Sequence, residues 1–546
     1  MPVHAVKKVA AIGLDSGDWD FIEQMLDEGN LPNLAQIRAR SLRCVIDSEA
    51  LYRGTVIWEV FLTGRDDPDD PRASGVGFDP KRYHVFKIGA GHARPFFSAM
   101  PSSQSIAFDV PHLSLAGGGS DVRICTWGAH SRSHPRASNP RGLIEEIDKT
   151  FGRHPAFARE HLYAWHLPEV VDRLASDLAA GSRKRVDAAV WLQKRFPDWR
   201  LFVTVMSESH SAGESYGHVV EPTHPLMQLK IAERHRARLR DVYIALDDAI
   251  GKFASALSPD AMLVIFSLHG TGATHGELPS MALLPELLHR LTIGRKLLKD
   301  PDQVEWRRDP RALEPAPDES WEDYMRRRFA EPPALRLRRT LIDKRTQVGE
   351  RLAWKFRDLR TNSEPPHSFL GWQVASWYRL HWPRMRAFAL PSFADGRVRI
   401  NLRGRERSGM VDAADYEKAC AEIEDCVSSC RDPRTGKGVV QRITRPRASD
   451  PLAPGGPDAD LVIEWSHGID TLEHSKLGMI GPFPFRRTGE HTPRGFAMFS
   501  GPGTREAADL GVHRVVDLPA TILALLGQEQ PAGSNGRAFL RPADIG

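Results

Sequence analysis

The sequence predicts an α/β protein in which helices sandwich a mostly parallel central sheet. Short, continuous apolar runs predict buried strands, and the longer stretches between them have a helical repeat. Strands and helices that alternate in this way favour parallel strands joined by helical crossovers. In addition, residue types that bind metals follow several of the predicted strands, from one end of the chain to the other.

The first predicted strand covers residues 8–15, and a helix is predicted to follow it over residues 19–40. The change from a continuous apolar run to a helical repeat is typical of a βα unit. The same patterns predict further core strands at 201–206, 262–267 and 461–465, and helices near 227–257 and 518–526.

Composition divides the chain into a core and two additions. Residues 1–290, with an irregular insertion at about 66–200, and residues 451–546 are predicted to form the core. Residues 291–370 are rich in arginine and charged pairs and predict a helical insertion. Residues 371–450 predict a small α+β subdomain, in which a helix with three cysteines lies between strands.

Charge and hydropathy exclude several classes of protein. The net charge of +4 is small for 546 residues and gives no general case for a nucleic-acid partner. The basic face of the helical insertion can meet a partner or an anionic surface, or it is a solvated face with its own acidic partners. We expect no membrane span, because no apolar run approaches about 20 residues. The first residues lack the features of a signal peptide, so we expect a cytoplasmic location.

Three isolated residues lie where a site of an α/β sheet would form. Asp15 follows the first predicted strand, and His269 follows the apolar run VIFSL. Ligands collect at the carboxyl ends of strands in such sheets. Asp15 is either a metal ligand or a helix cap, a role for which Asp18 competes. His491 lies in the glycine-flanked loop GEHTPRG, where the backbone can approach an ion closely.

A denser cluster of polar residues follows the strand LFVTVM. His210 and Glu214 are four residues apart, so a helix would place them on one face, and His218 continues that face. Glu208 and His224 are nearby and could serve as ligands instead. Imidazole and carboxylate donors suit a borderline divalent cation, with zinc or manganese as the candidates.

Thr55 is the candidate nucleophile. It precedes the FLTG turn, and a bound divalent cation can lower the pKa of a threonine hydroxyl and orient it. The alternative is a residue that merely favours a strand or caps a helix. Arg53 and Arg65 flank the segment, and each is either a phosphate contact or an ordinary surface arginine.

Several motifs resemble the alkaline phosphatase superfamily, and in particular its type I phosphodiesterase/nucleotide pyrophosphatase branch. GLDSGDWDFIEQMLDEGNLPNLAQI, followed by VIWEVFLTGR, is similar to the opening of these proteins. PFRRTGEHTPRGFAMFSGPG and VVDLPATILALLGQEQPAGSNGRAFL are similar to their closing segments. The resemblance covers roughly 7–66, 200–290 and 460–540 and implies an alkaline phosphatase-like core with two metal ions and a Ser or Thr nucleophile. The sulfatase branch is disfavoured, because Cys44 lacks that branch's sequence context.

The resemblance also implies roles for individual residues. Thr55 would take up a phosphoryl group. Arg53, which is not carried over from the resemblance but flanks Thr55, could then offset charge on the group being transferred. The ligand sets that the resemblance implies are Asp15, Thr55 and His269 for a first ion, and His210, Glu214 and His491 for a second.

Three departures from the superfamily pattern bear on these roles. The chain has SLHG instead of SDHG, so Leu268 stands where a carboxylate ligand is expected. The motif His210-x-x-x-Glu214 exchanges the two ligand types, and an alignment on Trp58 puts Gly54 in place of Thr55. We therefore expect one tightly bound ion and a second that is weak or absent, unless His275 replaces the lost carboxylate.

The sequence thus predicts a metal-dependent hydrolase of small-molecule phosphate esters. Phosphodiesters or pyrophosphates are favoured over simple monoesters, because the resemblance is to the branch with those activities. Two competing functions remain open at this point. The loss of a carboxylate at Leu268 favours a catalytically weakened protein that binds a phosphorylated ligand or partner. A transferase that passes the phosphoryl-linked group to an acceptor other than water would have the same residues.

Overall fold

The structure is a computed structural model of the chain. It describes residues 6–51, 56–67, 76–88, 94–101, 104–116, 119, 121–128, 135–157, 164–355, 367–447, 450–453, 457–504 and 507–545.

Twenty strands lie within these ranges. In chain order they are β1 (Lys8–Leu14), β2 (Leu42–Asp47), β3 (Val76–Asp79), β4 (His84–Ile88), β5 (Ser105–Phe108), β6 (Val122–Cys125), β7 (Ala137–Asn139), β8 (Leu201–Met206), β9 (Ala261–Ser267), β10 (Gly270–Ala273), β11 (His367–Phe369), β12 (Ala387–Leu390), β13 (Gly396–Ile400), β14 (Val440–Thr444), β15 (Leu461–Trp465), β16 (Leu472–His474), β17 (Gly478–Ile480), β18 (Gly489–Thr492), β19 (Arg494–Ser500) and β20 (Ala508–Arg514).

Fourteen α-helices lie in the same part of the chain. They are α1 (Trp19–Asp27), α2 (Pro32–Arg38), α3 (Ile57–Thr63), α4 (Leu143–Phe151), α5 (Pro168–Arg195), α6 (Glu208–Tyr216), α7 (Ile231–Ser255), α8 (Leu284–Ile293), α9 (Gln303–Arg308), α10 (Trp321–Arg328), α11 (Pro333–Lys355), α12 (Val374–Trp377), α13 (Tyr416–Ser428) and α14 (Asp517–Leu525).

Nine strands form the central sheet, in the order β20-β2-β19-β9-β1-β8-β5-β6-β7. Five of its neighbouring pairs are parallel, and three are antiparallel because β19 and β7 run against their neighbours. The prediction of an α/β protein with a mostly parallel central sheet is confirmed.

Alternate residues of β1 pack into two separate apolar layers. Ala10 and Ile12 face the layer that contains residues of α5 and α7, whereas Val9 and Ala11 face the layer that contains residues of α3 and α14. A strand covered on both faces needs apolar residues at every position. This requirement explains the continuous apolar run KVAAIGL.

The helix predicted over residues 19–40 is instead two helices, α1 and α2. Gly29 adopts a φ of 75°, which favours glycine and ends a helix, and Pro32 is the first residue of α2. The glycine and proline together interrupt a stretch whose apolar repeat is nearly continuous.

Two further predictions differ from the structure in the membership of sheets. The strand predicted at 461–465 forms as β15, but it pairs with β13 and β14 in a separate four-stranded sheet, not in the central one. The stretch predicted as an irregular insertion, in which IAFDVP and VRICTWGAH resemble strand ends and a helical segment follows, contributes β5, β6 and β7 to the central sheet and also contains the long helix α5. Central strand β19 was not predicted.

The charged stretch predicted as a helical insertion contains α9, α10 and α11, with 23 residues in the last of these. Within the residues described, no helix has the length and hydropathy of a membrane-spanning segment.

Candidate metal centre

Three neighbouring strands of the central sheet end at the same edge. β1 lies between β8 and β9 and is parallel to both, with Leu14 opposite Met206. Asp15 therefore leaves β1 at the edge where α6 follows β8 and His269 follows β9. Antiparallel β19 begins at this edge, directly after β18, which contains His491. Strand order thus brings together residues from both ends of the chain.

Glycines let α6 approach the β10–β18 pair closely. A Cβ atom at Gly489 would lie 2.0 Å from the carbonyl oxygen of Gly213, and a Cβ at Gly213 would lie 2.6 Å from Thr271 Cγ2. Both distances are too short for any side chain. Because Thr271 is opposite His491 in the β10–β18 pair, the helix is held directly against His491.

His210, Glu214 and His491 meet at this contact. The Nε2 atoms of His210 and His491 are 2.8 Å apart, although 281 residues separate the two histidines. His210 Nε2 lies 3.8 Å from Glu214 Oε1, and one ligand atom from each residue lies within 4.8 Å of the others. Two imidazole nitrogens and one carboxylate oxygen are a usual donor set for zinc, and manganese also accepts these donors. The residues present therefore fit a divalent cation.

Asp15 and His269 lie beside these three residues. His269 Nδ1 is 3.2 Å from the carbonyl oxygen of Gly270, and its ring centroid is 4.2 Å from that of His491. Since a carbonyl oxygen only accepts hydrogen bonds, we assign the ring proton to Nδ1 and the lone pair to Nε2. His269 Nε2 is 3.7 Å from Asp15 Oδ1. A histidine whose Nδ1 is bound to a backbone carbonyl is the common arrangement in metal sites.

The carboxyl of Asp15 is buried, and its pKa is raised to about 7. Burial is the main cause. The Trp58 indole, which donates a hydrogen bond to Asp15 Oδ1 at 2.9 Å, acts in the opposite direction, and the negative charge of Glu214 raises the pKa further. A nearby cation would favour the ionised carboxylate. The helix cap of α1 is Asp18 and not Asp15, because the Asp18 carboxylate accepts a hydrogen bond from Phe21 N.

Sequence reasoning did not single out Arg487, which contacts the cluster directly. Its guanidinium pairs with Glu214 Oε1 and donates from Nε to Glu277 Oε2 at 3.1 Å. Arg486 Nη1 also donates to Glu277, at 2.8 Å. The double arginine in PFRRTGEHTPRG, just before His491, was the available signal. Arg487 positions Glu214 and offsets part of its charge.

Glu208, a possible ligand by its place in the sequence, belongs instead to a separate ion-pair network. Arg185 Nε donates to its carboxylate at 3.1 Å, and His154 Nε2 lies 2.9 Å from Oε1. Burial alone would raise the pKa of Glu208, but the charge of Arg185 and the bond to His154 outweigh it and lower the pKa to about 2. Arg185 also binds Asp109, so this network anchors the first turn of α6.

His218 and His224, which the sequence also suggests as ligands, lie in a group of buried histidines together with His235. The ring centroids of His218 and His235 are 5.0 Å apart, and those of His218 and His224 are 6.2 Å apart. Neither ring nitrogen of His218 has a hydrogen-bond partner among the residues described. Burial, together with neighbouring positive charge, lowers the pKa of His218 well below its usual value.

These histidines predict a loss of stability in acid. Burial lowers the pKa values of His224 and His235 to about 4 from 6.5, so the unfolded chain binds protons first as the pH falls. Each histidine then costs on the order of 3 kcal/mol across that window. His218→Leu removes a third such group. The unfolding free energy of this variant, measured in urea, should therefore rise relative to that of the unmodified chain as the pH is lowered from about 7.5 to about 5. An advantage that does not change with pH would contradict the prediction.

His275, considered as a replacement ligand, belongs to another cluster with Glu221 and His467. Gly468 N donates to His275 Nδ1 at 2.9 Å, so the ring proton lies on Nε2, which is 2.9 Å from Glu221 Oε2. His467 Nδ1 lies 3.2 Å from Glu221 Oε1. A protonated nitrogen does not ligate a metal, and we therefore interpret this cluster as a hydrogen-bonded network.

Leu268 is fully buried in the apolar layer that contains Trp58 and Phe266. An unpaired carboxylate in such a place costs several kcal/mol. We expect Leu268→Asp to lower the melting temperature in the presence of a chelator, and zinc to restore more of it than in the uncharged control Leu268→Asn. Equal responses of the two variants to zinc would show that position 268 does not reach a cation.

Two predicted residues, Thr55 and Arg53, fall outside the residues that the structure describes. Their roles stay predictions. The described part of this segment includes Trp58 of α3, whose indole binds Asp15.

Comparison with known proteins gave matches among solved structures only. No family model and no curated protein matches the sequence. The chain is similar to murine ectonucleotide pyrophosphatase/phosphodiesterase 5, an inactive variant in complex with AMP, with a TM-score of 0.46 and 10% identity over 99% of each chain. It is also similar to the alkaline phosphatase PafA, with a TM-score of 0.49 and 9% identity over 99% of each chain.

A third match is phosphonoacetate hydrolase from Sinorhizobium meliloti 1021 in complex with phosphonoacetate. Here the TM-score is 0.45 and the identity 13%, over 96% of each chain. Similarity at this level does not transfer an activity from one protein to another, which depends on the residues of the site.

Proposed function

We propose that this chain is a hydrolase of small-molecule phosphate esters that requires a divalent cation, and that its substrates are phosphodiesters or pyrophosphates. One observation carries the proposal. Five side chains of ligand type converge at the carboxyl edge of the central sheet from four separate segments of the chain; they are Asp15, His210, Glu214, His269 and His491.

Each of these residues would have a separate role. His210, Glu214 and His491 would hold the cation, with Arg487 keeping the Glu214 carboxylate in place. When bound, a zinc or manganese ion supplies Lewis-acid polarisation of a phosphoryl oxygen. A bound cation would keep the buried carboxyl of Asp15 ionised, so that Asp15 would offer a further anionic oxygen beside His269.

Thr55 is the proposed nucleophile, on the strength of the sequence resemblance. Its hydroxyl oxygen would form a bond to phosphorus while the bond to the leaving ester oxygen breaks, and the hydroxyl proton would pass to that oxygen. Water would then hydrolyse the phosphothreonine ester and restore the hydroxyl. Arg53 would offset negative charge on the phosphoryl group during transfer.

A second candidate function is binding without turnover. The observation in its favour is Leu268, an apolar side chain in the apolar layer where the superfamily has a carboxylate. Such a protein would bind a phosphorylated ligand or partner through the remaining donors but would not hydrolyse it. Turnover by the metal-loaded chain excludes this candidate.

Removal of the metal tests the proposal. We expect dialysis against a chelator to abolish hydrolysis of bis(4-nitrophenyl) phosphate, and zinc or manganese to restore it. Release of 4-nitrophenolate measures the activity, and 4-nitrophenyl phosphate, a monoester, should be the poorer substrate. Elemental analysis should find one tightly bound ion per chain. Full activity in the metal-free chain would refute metal dependence, and no activity with any ester would favour the binding protein.

A further inference from the structure

One helix carries an unusual share of the exposed apolar side chains. Ten large hydrophobic residues are exposed in the described part of the chain, and four of them are on α11. Their exposed fractions are 62% for Leu337, 59% for Leu341, 53% for Val348 and 37% for Ile342. Single exposed apolar residues are common on protein surfaces, but a group on one helix marks an interaction site.

Three of these residues form a narrow stripe along the helix. At 3.6 residues per turn, Leu337, Leu341 and Val348 lie within about 40° of one another around the helix axis. We call these three residues the α11 stripe. On the same wheel, exposed Lys344 lies on one side of the stripe, and exposed Arg338 and Arg345 lie on the other.

The opposite side of α11 is attached to the body of the protein. Arg339 is buried, and its Nε donates to Glu331 at 2.9 Å. Asp343, one turn further, pairs with Arg379 from the segment after α12. These ion pairs fix the rotation of the helix about its axis, so the stripe and its flanking cations face outwards.

Helix α11 is strongly basic in sequence. α11 has seven Lys or Arg residues and two acidic residues, a net charge of +5, whereas the whole chain has +4. Within the described ranges, the exposed cations Arg336, Arg338, Lys344 and Arg345 form no ion pair, in contrast to buried Arg339.

We propose that the outer face of α11 docks on an anionic lipid bilayer, with the α11 stripe in the headgroup region and the flanking cations on lipid phosphates. An apolar stripe between cations is the arrangement by which amphipathic helices lie in a membrane interface. A second copy of the chain fits less well, since pairing of two such faces would oppose cations with cations. Nucleic acid fits less well, because exposed leucine side chains would make no favourable contact with its phosphates. The inference does not depend on the proposed activity.

Binding of the full chain to vesicles tests the proposal. We expect the protein to co-sediment with vesicles of phosphatidylcholine and phosphatidylglycerol, and not with vesicles of phosphatidylcholine alone. Added salt should weaken binding, because it screens the attraction between the cations and the anionic headgroups.

Two sets of variants separate the apolar and the charged contributions. Leu337→Glu combined with Leu341→Glu should weaken vesicle binding about tenfold or more. The double variant loses apolar side chains that would be buried in the headgroup region, and its new carboxylates are repelled by the anionic lipid. Lys344→Gln combined with Arg345→Gln should also weaken binding and reduce its dependence on salt. Val512→Glu is a matched control, because Val512 is 66% exposed but lies on β20 at the edge of the central sheet. These side chains are exposed, so melting curves should stay close to that of the unmodified chain.

Three results would overturn the proposal. The first is no binding to anionic vesicles, and the second is binding that the leucine variant retains in full. The third is binding of random-sequence DNA that is lost only when Lys344→Gln and Arg345→Gln are combined. That result would identify the face as a polyanion site instead.

Discussion

His491→Ala is expected to remove the tightly bound ion and, with it, hydrolysis of phosphodiesters. His491 Nε2 lies 2.8 Å from His210 Nε2 and is one of three donors in the cluster. Changes in residues that merely support a ligand cost about 10–100-fold in metal affinity, so loss of a direct ligand should cost more. Elemental analysis and the rate of nitrophenolate release, each measured over a series of zinc concentrations, check the prediction.

The control for this variant is His467→Ala. His467 also contacts a carboxylate, Glu221, but its side chain is 78% exposed and belongs to the other histidine cluster. We expect this variant to keep its metal and its activity. The alanine at position 491 retains the backbone pairing between β18 and β10, so an unfolded protein is not expected. Full metal content and turnover in His491→Ala would remove the basis of the proposed centre.

Thr55→Ala is expected to abolish turnover and leave metal binding and the melting temperature nearly unchanged. A nucleophile has no substitute once its oxygen is lost, whereas one hydroxyl contributes little to stability. Thr55→Ser keeps the reacting oxygen and should retain substantial activity. Steady-state rates on bis(4-nitrophenyl) phosphate, together with elemental analysis of each variant, separate loss of the nucleophile from loss of the ion.

Two other hydroxyls that flank Thr55 in the sequence form hydrogen bonds with backbone carbonyls, and these residues serve as controls. The Thr63 hydroxyl donates to the carbonyl oxygen of Glu59 at 2.7 Å, and the Ser48 hydroxyl donates to that of Pro493 at 2.8 Å. Thr63→Ala should therefore leave the rate nearly unchanged. A fully active Thr55→Ala protein would refute the nucleophile and indicate direct attack by water. If the chain only binds its ligand, Thr55→Ala will barely alter the affinity, and the unmodified chain will show no turnover.

Local patterns predict the centre of the fold well and its margins poorly. β1, β8 and β9 are buried on both faces, and each has a continuous apolar run that a sequence displays directly. β5, β6 and β7 have only four, four and three residues, so IAFDVP and VRICTWGAH indicate strand ends there but do not show that these strands join the central sheet. β15 also has an apolar run but pairs in the smaller sheet. A buried strand has the same pattern whichever sheet contains it, so the sequence does not show to which sheet β15 belongs.

Within the candidate site, spacing predicts the short-range contact, whereas the grouping of His210 with His491 was implied only by the resemblance to a known superfamily. His210 and Glu214 lie four residues apart on α6, as a helix requires of residues on one face. Asp15 and His269 were identifiable because they follow buried strands. Arg487 was missed, since an arginine beside a loop histidine is usually at the surface and its contact with Glu214 depends on non-local packing.

Residue types, strand ends and helical spacing are local properties, and the sequence displays them without reference to any other segment. The meeting of His210 with His491 across 281 residues is different, because it depends on strand order and on how closely α6 approaches β18. The burial of Leu268 in an apolar layer and the outward orientation of the α11 stripe have the same origin. Each follows from which surfaces pack together, and that choice minimises the free energy of the whole chain, not of any one segment.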